Sequence, residues 1–477
     1  MARKRMDLKR PKTRIMLNIG ALLDIPNSII VTGAKGESIF MGSFSDVNAI
    51  TGAGNSYKSV LLYYMNLAAA NVIAATHSPY LIIYDTENNV SETRIRELSR
   101  RFEYLEGDIF DKDTGFIDYT DKSVTHGDAW WNDTKAFMRD VIKNEPMVEY
   151  TAFVDKEGKT KKDFLPTLTI LDSISKFESK ASLEMLDRAK KDDSSTNTYF
   201  MRAGLFKTKV LGEMSMLAPA ANFYISMTAH IGKKSEMDEN KYSKPVKTLN
   251  YLKEGEALKN VPKEFTYLTK ILYKVSGMQN LKADDNNSPL YPMSGGSDNK
   301  TDLNLLRLEV IRSKYGNSGS TLPILVSQSE GVLPTLSEFH YIKTNGYFGL
   351  DGGNRSFNVT FLPKVSLSRT TIRTKINNSK KLRRAIQIAS DLLQIKTFKP
   401  EIERVGLYMS PKDLYDTLIS KGYDWEDILN TRSWFAIDQY NKDIDYFLST
   451  LDLLKMASGE YTPYWLVKEK KNDKRKK

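Results

Sequence analysis

The chain has 477 residues, enough for one large core and one or two smaller units, and its formal net charge of +11 favours polyanionic partners. It contains no cysteine, which excludes disulfides, thiolate metal sites and a cysteine nucleophile and fits a reducing compartment. It also contains no run of about 18 apolar residues, so no membrane span and no membrane partner is expected.

In chain order, residues 1–14 form a basic arm (Arg3, Lys4, Arg5, Lys9, Arg10, Lys12, Arg14) with no apolar signal segment after it. Short apolar runs rich in Ile, Leu, Val, Thr and Tyr predict strands at 29–32, 47–51, 80–85, 168–172, 223–228, 266–275, 305–311 and 322–326. Between them, helical patterns cover 58–69, 92–105, 134–143 and 198–216. This alternation predicts an α/β fold with a mostly parallel sheet over 15–362, with insertions near 107–163 and 231–264. Residues 283–301, rich in Asp, Asn, Ser and Gly, read as a flexible loop. From 363 to 477 the pattern is mostly helical (380–394, 411–421, 425–429, 437–456), giving a C-terminal unit that ends in a second basic tail, Lys468 to Lys477. The tails read either as solvated solubilising segments or as nucleic-acid contacts.

The strongest chemical signal is Gly52, Ala53, Gly54, Asn55, Ser56, Tyr57, Lys58 and Ser59, placed between a strand and an apolar helix. A phosphate-binding loop needs that order. Its backbone N–H groups and the helix N-terminus face the phosphates, Lys58 neutralises the terminal charge, and the Ser59 hydroxyl ligates Mg²⁺. Tyr57 stands where the standard pattern has glycine, so a simple Ser/Gly turn before a helix is the plain alternative. Two further strands end in acid: 81–85 leads to Glu87, suited to orienting or deprotonating a water, and 168–172 ends in Asp172, suited to holding Mg²⁺. The alternative for each is a solvated strand end. The strand 223–228 leads to His230, a candidate γ-phosphate sensor or a structural histidine. Arg312 and Lys314, two apart at a strand end, read as a pair reaching a phosphate on a neighbouring subunit or as a surface cation pair.

The order of these pieces over about residues 15–392 resembles the RecA family, and within it the UvsX-type recombinases of tailed phages. The loop ending Ser56, Tyr57, Lys58, Ser59 is similar to a UvsX-type loop, which also has an aromatic before the lysine. The run Ile83 to Glu87 resembles the family strand with the catalytic glutamate, and Leu171 to Ile174 its Walker B strand. Met227 to His230 resembles the strand before the second DNA-binding loop, Arg312 and Lys314 the trans-acting cations, and Gly331 to Pro334 the glycine turn that follows. The resemblance implies a RecA-type P-loop core, ATP and Mg²⁺ as ligands, and DNA-dependent ATP hydrolysis by a homo-oligomer, filament or ring. Recombination and repair on single-stranded DNA, with duplex DNA as a second substrate, in the cytoplasm of a phage-infected host, follow from it. Lys233 and Lys234 would then supply cations to DNA, and Tyr242 and Tyr251 would stack on bases. Three features depart from the family pattern: the short basic arm, the basic rather than acidic C-terminal end, and the two insertions. A ring-forming helicase or translocase of the DnaB or RadA type is the alternative, since the basic, Gly-containing run 312–319 resembles a turn of those families. A non-motor DNA-binding protein with a degenerate nucleotide site, suggested by Tyr57, is a third.

Overall fold

The computed structural model describes residues 14–88, 91–189, 194–233, 251–253, 256–282, 289–293, 302–316, 318–353 and 355–466. Most of both basic tails, together with Lys234 and Tyr242, lies outside them, and Lys233 is described by its backbone alone.

The centre is a mixed α/β assembly built on one large sheet. Its strands are β1 (Val47–Gly52), β2 (Tyr80–Asp85), β3 (Ile117–Asp121), β4 (Thr167–Asp172), β5 (Phe223–Lys233), β6 (Glu256–Leu258), β7 (Ile271–Asn280), β8 (Leu303–Ser313), β9 (Thr321–Ser327) and β10 (Gly331–Val332). In space they run β10-β9-β8-β7-β1-β5-β4-β2-β3, with β6 folding back on β5. From β7 through β3 all pairings are parallel, whereas β7-β8, β8-β9 and β9-β10 are antiparallel.

The inner parallel strands β1, β2 and β4 are apolar runs because both sheet faces are covered there, whereas the edge strand β3 is polar and half-exposed. Every residue of β1 and β4 is buried. Alternation then divides the side chains between two cores. Ile50, Ile83 and Ile170 enter the larger cluster, while Val47, Ala49, Tyr84, Leu171, Ile225 and Met227 enter the smaller one. The helix α1 (Lys58–Ala74) lies on the larger-core side. It is buried around most of its circumference, with Leu61, Leu62, Met65, Leu67 and Ile73 all inside, so it lacks the single apolar stripe of a surface helix. The helices α2 (Glu92–Ser99), α5 (Pro334–Thr344), α6 (Ile372–Asn378) and α7 (Lys380–Phe398) pack on the same side. On the other face lie α3 (Gly127–Asn144) and α4 (Ser194–Ala221).

Several expectations change. The expected helix 92–105 stops at Ser99, where the chain turns and Asn71 Oδ1 accepts from the Tyr104 N–H at 2.8 Å. The expected strand 266–275 begins as a short helix, Glu264–Leu268, and becomes β7 only at Ile271. The expected strand 29–32 forms a separate hairpin with Ser38–Phe40 rather than joining the large sheet. The expected helix 437–456 is helical only over Thr450–Ser458, because Ser449 and Asp452 close a capping box that starts it there. Leu350–Gly352, Phe357–Val359 and Leu362–Leu367 form a small antiparallel sheet with no counterpart in the sequence reading. The segment 107–163 supplies edge strand β3 and covering helix α3, so part of it completes the central sheet. Buried residues of the C-terminal helices, including Leu393, Leu414, Leu418 and Leu454, belong to the same apolar cluster as α1 and the sheet. Among the described residues no helix is long and apolar enough to cross a membrane.

Candidate functional site

The carboxyl ends of β1, β2, β4 and β5 bring together residues that are up to about 180 positions apart in the chain. Register fixes the levels: Gly52 pairs with His230, and Asp85 with Asp172. Glu87 follows β2 by two residues.

The loop between β1 and α1 needs close backbone packing at its start. A Cβ on Gly52 would meet Ser56 Oγ at 2.8 Å and Val275 Cβ at 3.3 Å. Ser56 Oγ donates to Ala53 O at 2.7 Å, and Lys58 Nζ donates to the same carbonyl at 2.5 Å, so the lysine curls over the loop. Ala53, Gly54 and Asn55 form an exposed crest. Tyr57 caps α1 in the left-handed region, φ 59° and ψ 19°. Glycine adopts that conformation freely; a side chain there costs about 1–2 kcal/mol. This is the physical content of the departure at Tyr57.

Around the loop, Asp172 is buried and its carboxylate accepts from the hydroxyls of Ser59 and Thr228. Burial raises its pKa above the ordinary value, opposed by those hydrogen bonds and reinforced by the charges of Asp85 and Glu87. Burial lowers the Lys58 pKa, while Asp172 and Glu87 pull it back up. Burial also pushes the Glu87 carboxyl up, but three neighbours outweigh it and leave its pKa lowered. These are His230, whose Nε2 lies 2.6 Å from Oε1, Ser173, whose Oγ donates to Oε1 at 3.0 Å, and Lys176, whose Nζ is 3.8 Å from Oε2. Asp85 accepts from the Glu87 and Asn88 N–H groups at 2.7 and 2.9 Å, which folds the chain back after β2. Thr86 laces this turn to β4, its N–H donating to Asp172 O at 2.7 Å and its hydroxyl to Ser173 O at 2.9 Å.

The structure thus gathers Lys58, Ser59, Glu87, Asp172 and His230 in one region. Arg312 and Lys314 are elsewhere. Strand β8 is antiparallel, so Arg312 is level with Ala49, through Leu272. That is about 10 Å below Gly52 along the strands and about 10 Å to the side. Lys314 follows the strand in an exposed turn, its N–H bonded to Lys270 O at 3.1 Å. Neither cation reaches the loop of residues 52–59 in its own chain. Tyr251 is not a free stacking platform: its ring packs against the smaller core and its hydroxyl lies 3.0 Å from Thr266 Oγ1.

Sequence reading missed Thr228, Ser173 and Lys176. Ser173 was adjacent to a named residue, and Thr228 lies two before His230, on the same strand face; polar residues at such strand ends were the available signal. A cavity of about 1200 Å³ lies not over the loop but beside α1 and α2, lined by Phe102, Arg101, Arg373, Arg383 and Trp434 among others. Comparison with models of known protein families and with curated protein sequences found no match to this chain.

Proposed function

We propose that the chain is a P-loop ATPase of RecA type that acts on single-stranded DNA as a homo-oligomer, in recombination. One observation carries this reading. The loop strand β1 lies between β7 and β5, followed by β4 and β2, and the loop, His230, Asp172 and Glu87 sit at the carboxyl ends of β1, β5, β4 and β2. In this reading the triphosphate of ATP lies along the loop of residues 52–59, facing backbone N–H groups and the start of α1. Lys58, now bonded to Ala53 O, swings to the terminal phosphates. The hydroxyl of Ser59 and the carboxylate of Asp172, already hydrogen-bonded, are hard oxygen donors that suit Mg²⁺. When bound, Mg²⁺ would neutralise phosphate charge. Glu87, ionised and held by His230 and Ser173, orients the attacking water and takes its proton. His230 joins β5, and the chain after it, to that carboxylate.

The DNA partner rests on the +11 charge and on the RecA resemblance. The ring-forming helicase is retained as a second reading because the turn after Arg312 is a built feature. A Cβ on Gly316 would lie 2.0 Å from Pro26 O, and Ser313 Oγ accepts from the N–H groups of Tyr315 and Gly316. Hydrolysis of ATP with and without single-stranded DNA tests the ATPase. It should rise on adding DNA and weaken steeply with salt. Negative-stain images with a non-hydrolysable ATP analogue should show helical filaments; closed rings would favour the second reading, and absence of any hydrolysis would remove both.

A further inference from the structure

The aromatic residue in the phosphate loop does more than tolerate its position. The Tyr57 hydroxyl donates to Gln328 Oε1 at 2.9 Å and accepts from Asn304 Nδ2 at 3.0 Å. Both partners are far along the chain, on the turn between β9 and β10 and at the start of β8. That turn is itself held from two sides. Arg94 and Arg101, at and just beyond α2, donate to it: Arg94 to the carbonyls of Gln328 and Ser329 at 2.8 and 2.6 Å, and Arg101 to Glu330 O at 2.9 Å. Arg373 of α6, 1% exposed, pairs with Asp302 at 2.7 Å and with Glu330. Ser327 Oγ closes the arrangement by donating to Asp302 Oδ2 at 2.7 Å.

We infer that Tyr57 is a positioning residue for the nucleotide: its hydroxyl ties the helix end of the phosphate loop to the braced turn 327–330 and holds the loop in its ligand-binding shape. This rests on the P-loop reading. A glycine at this position would relieve the left-handed backbone but leave the loop untethered. The tyrosine accepts the backbone cost and gains two fixed anchors. The helix α2, which holds this turn through Arg94, begins five residues after Glu87.

The test separates tether from backbone effect. ATP hydrolysis is measured for the full chain carrying Tyr57→Phe, Tyr57→Gly, Gln328→Ala and Tyr57→Phe with Gln328→Ala, with thermal unfolding as the fold check. Tyr57→Phe, which removes both hydrogen bonds of the hydroxyl, should raise KM for ATP about fivefold or more, with a smaller change in kcat. Tyr57→Gly should do the same although it restores the unstrained residue. Gln328→Ala should add little on top of Tyr57→Phe, since the link it cuts is already lost with the hydroxyl. Wild-type affinity in Tyr57→Gly or in Tyr57→Phe, or simple additivity in the double variant, would overturn the tether. Loss of the P-loop reading has a different signature: undiminished hydrolysis in Lys58→Ala.

Discussion

The two ends of the parallel strands differ in chemistry. At the carboxyl end, Asp85, Glu87 and Asp172 are each engaged by hydroxyls, N–H groups or an imidazole, with Lys58 folded among them. At the amino end the balance is reversed. Lys314 has its pKa lowered, first by burial and then by Lys270 and Arg312, with Asp46 pulling the other way. Asp46 feels Lys270 and Arg14 but is itself so buried that its pKa is raised. Arg312 Nε is buried with no hydrogen-bond partner among the described residues. At one end the charged groups engage one another; at the other, Lys270, Arg312 and Lys314 lie close enough to repel, with Asp46 beside them. In the proposed oligomer, the cation-rich amino end of one copy would face the carboxyl-end site of the next. The fold alone places them about 10 Å apart in height, so that they cannot satisfy each other within one chain.

The largest effect should come from the loop itself. Lys58→Ala should cut ATP turnover about 10³-fold or more, since the phosphoryl charge loses its only loop cation. Retained turnover would dissolve the contrast between the two ends by removing its nucleotide.

Next is the amino end. Arg312→Ala with Lys314→Ala should keep ATP binding and lose turnover by up to about 10³-fold, the worth of an added cation at phosphoryl transfer. Mixed with Lys58→Ala protein, this variant should regain part of the activity, because some interfaces then join an intact loop to intact cations. No recovery in oligomers shown to contain both variants would return Arg312 and Lys314 to the solvated surface.

The smallest of the three effects is expected at Glu87. Glu87→Gln should bind ATP but turn over about 10²-fold more slowly. The carboxylate must be ionised to take a proton, and its pKa is lowered by His230, Ser173 and Lys176 against the opposing effect of burial. The acid limb of the pH–rate profile should therefore lie below the ordinary carboxylate value of 4.5, with activity present above it and lost as pH falls through the lowered pKa. His230→Ala should move that limb upward. A limb that stays in place would show that the 2.6 Å contact does not tune the base.

What was legible in the sequence is local. The strand–loop–helix around Lys58, the acidic end of β2, the single aspartate ending β4 and the polar end of β5 each lie within a few residues of the apolar run that places them. Burial on both faces makes such runs continuous, and short runs report themselves without knowing their neighbours. The helical C-terminal pattern was visible for the same reason, except where Ser449 and Asp452 start the last helix later than its apolar periodicity suggested.

What the sequence could not decide is every relation between segments. Strand order is one: nothing near Val47 says that β1 lies between β5 and β7. The contact between Glu87 and His230 spans 143 positions, and the tether from Tyr57 to Gln328 spans 271. Strand direction is another. Arg312 reads as a residue at a strand end, but only the antiparallel pairing of β8 with β7 puts that end on the side away from the loop of residues 52–59. Side-chain hydrogen bonds and charge contacts act over a few ångströms, so their partners are chosen by which strands the fold sets side by side, and that is decided by packing of the whole chain.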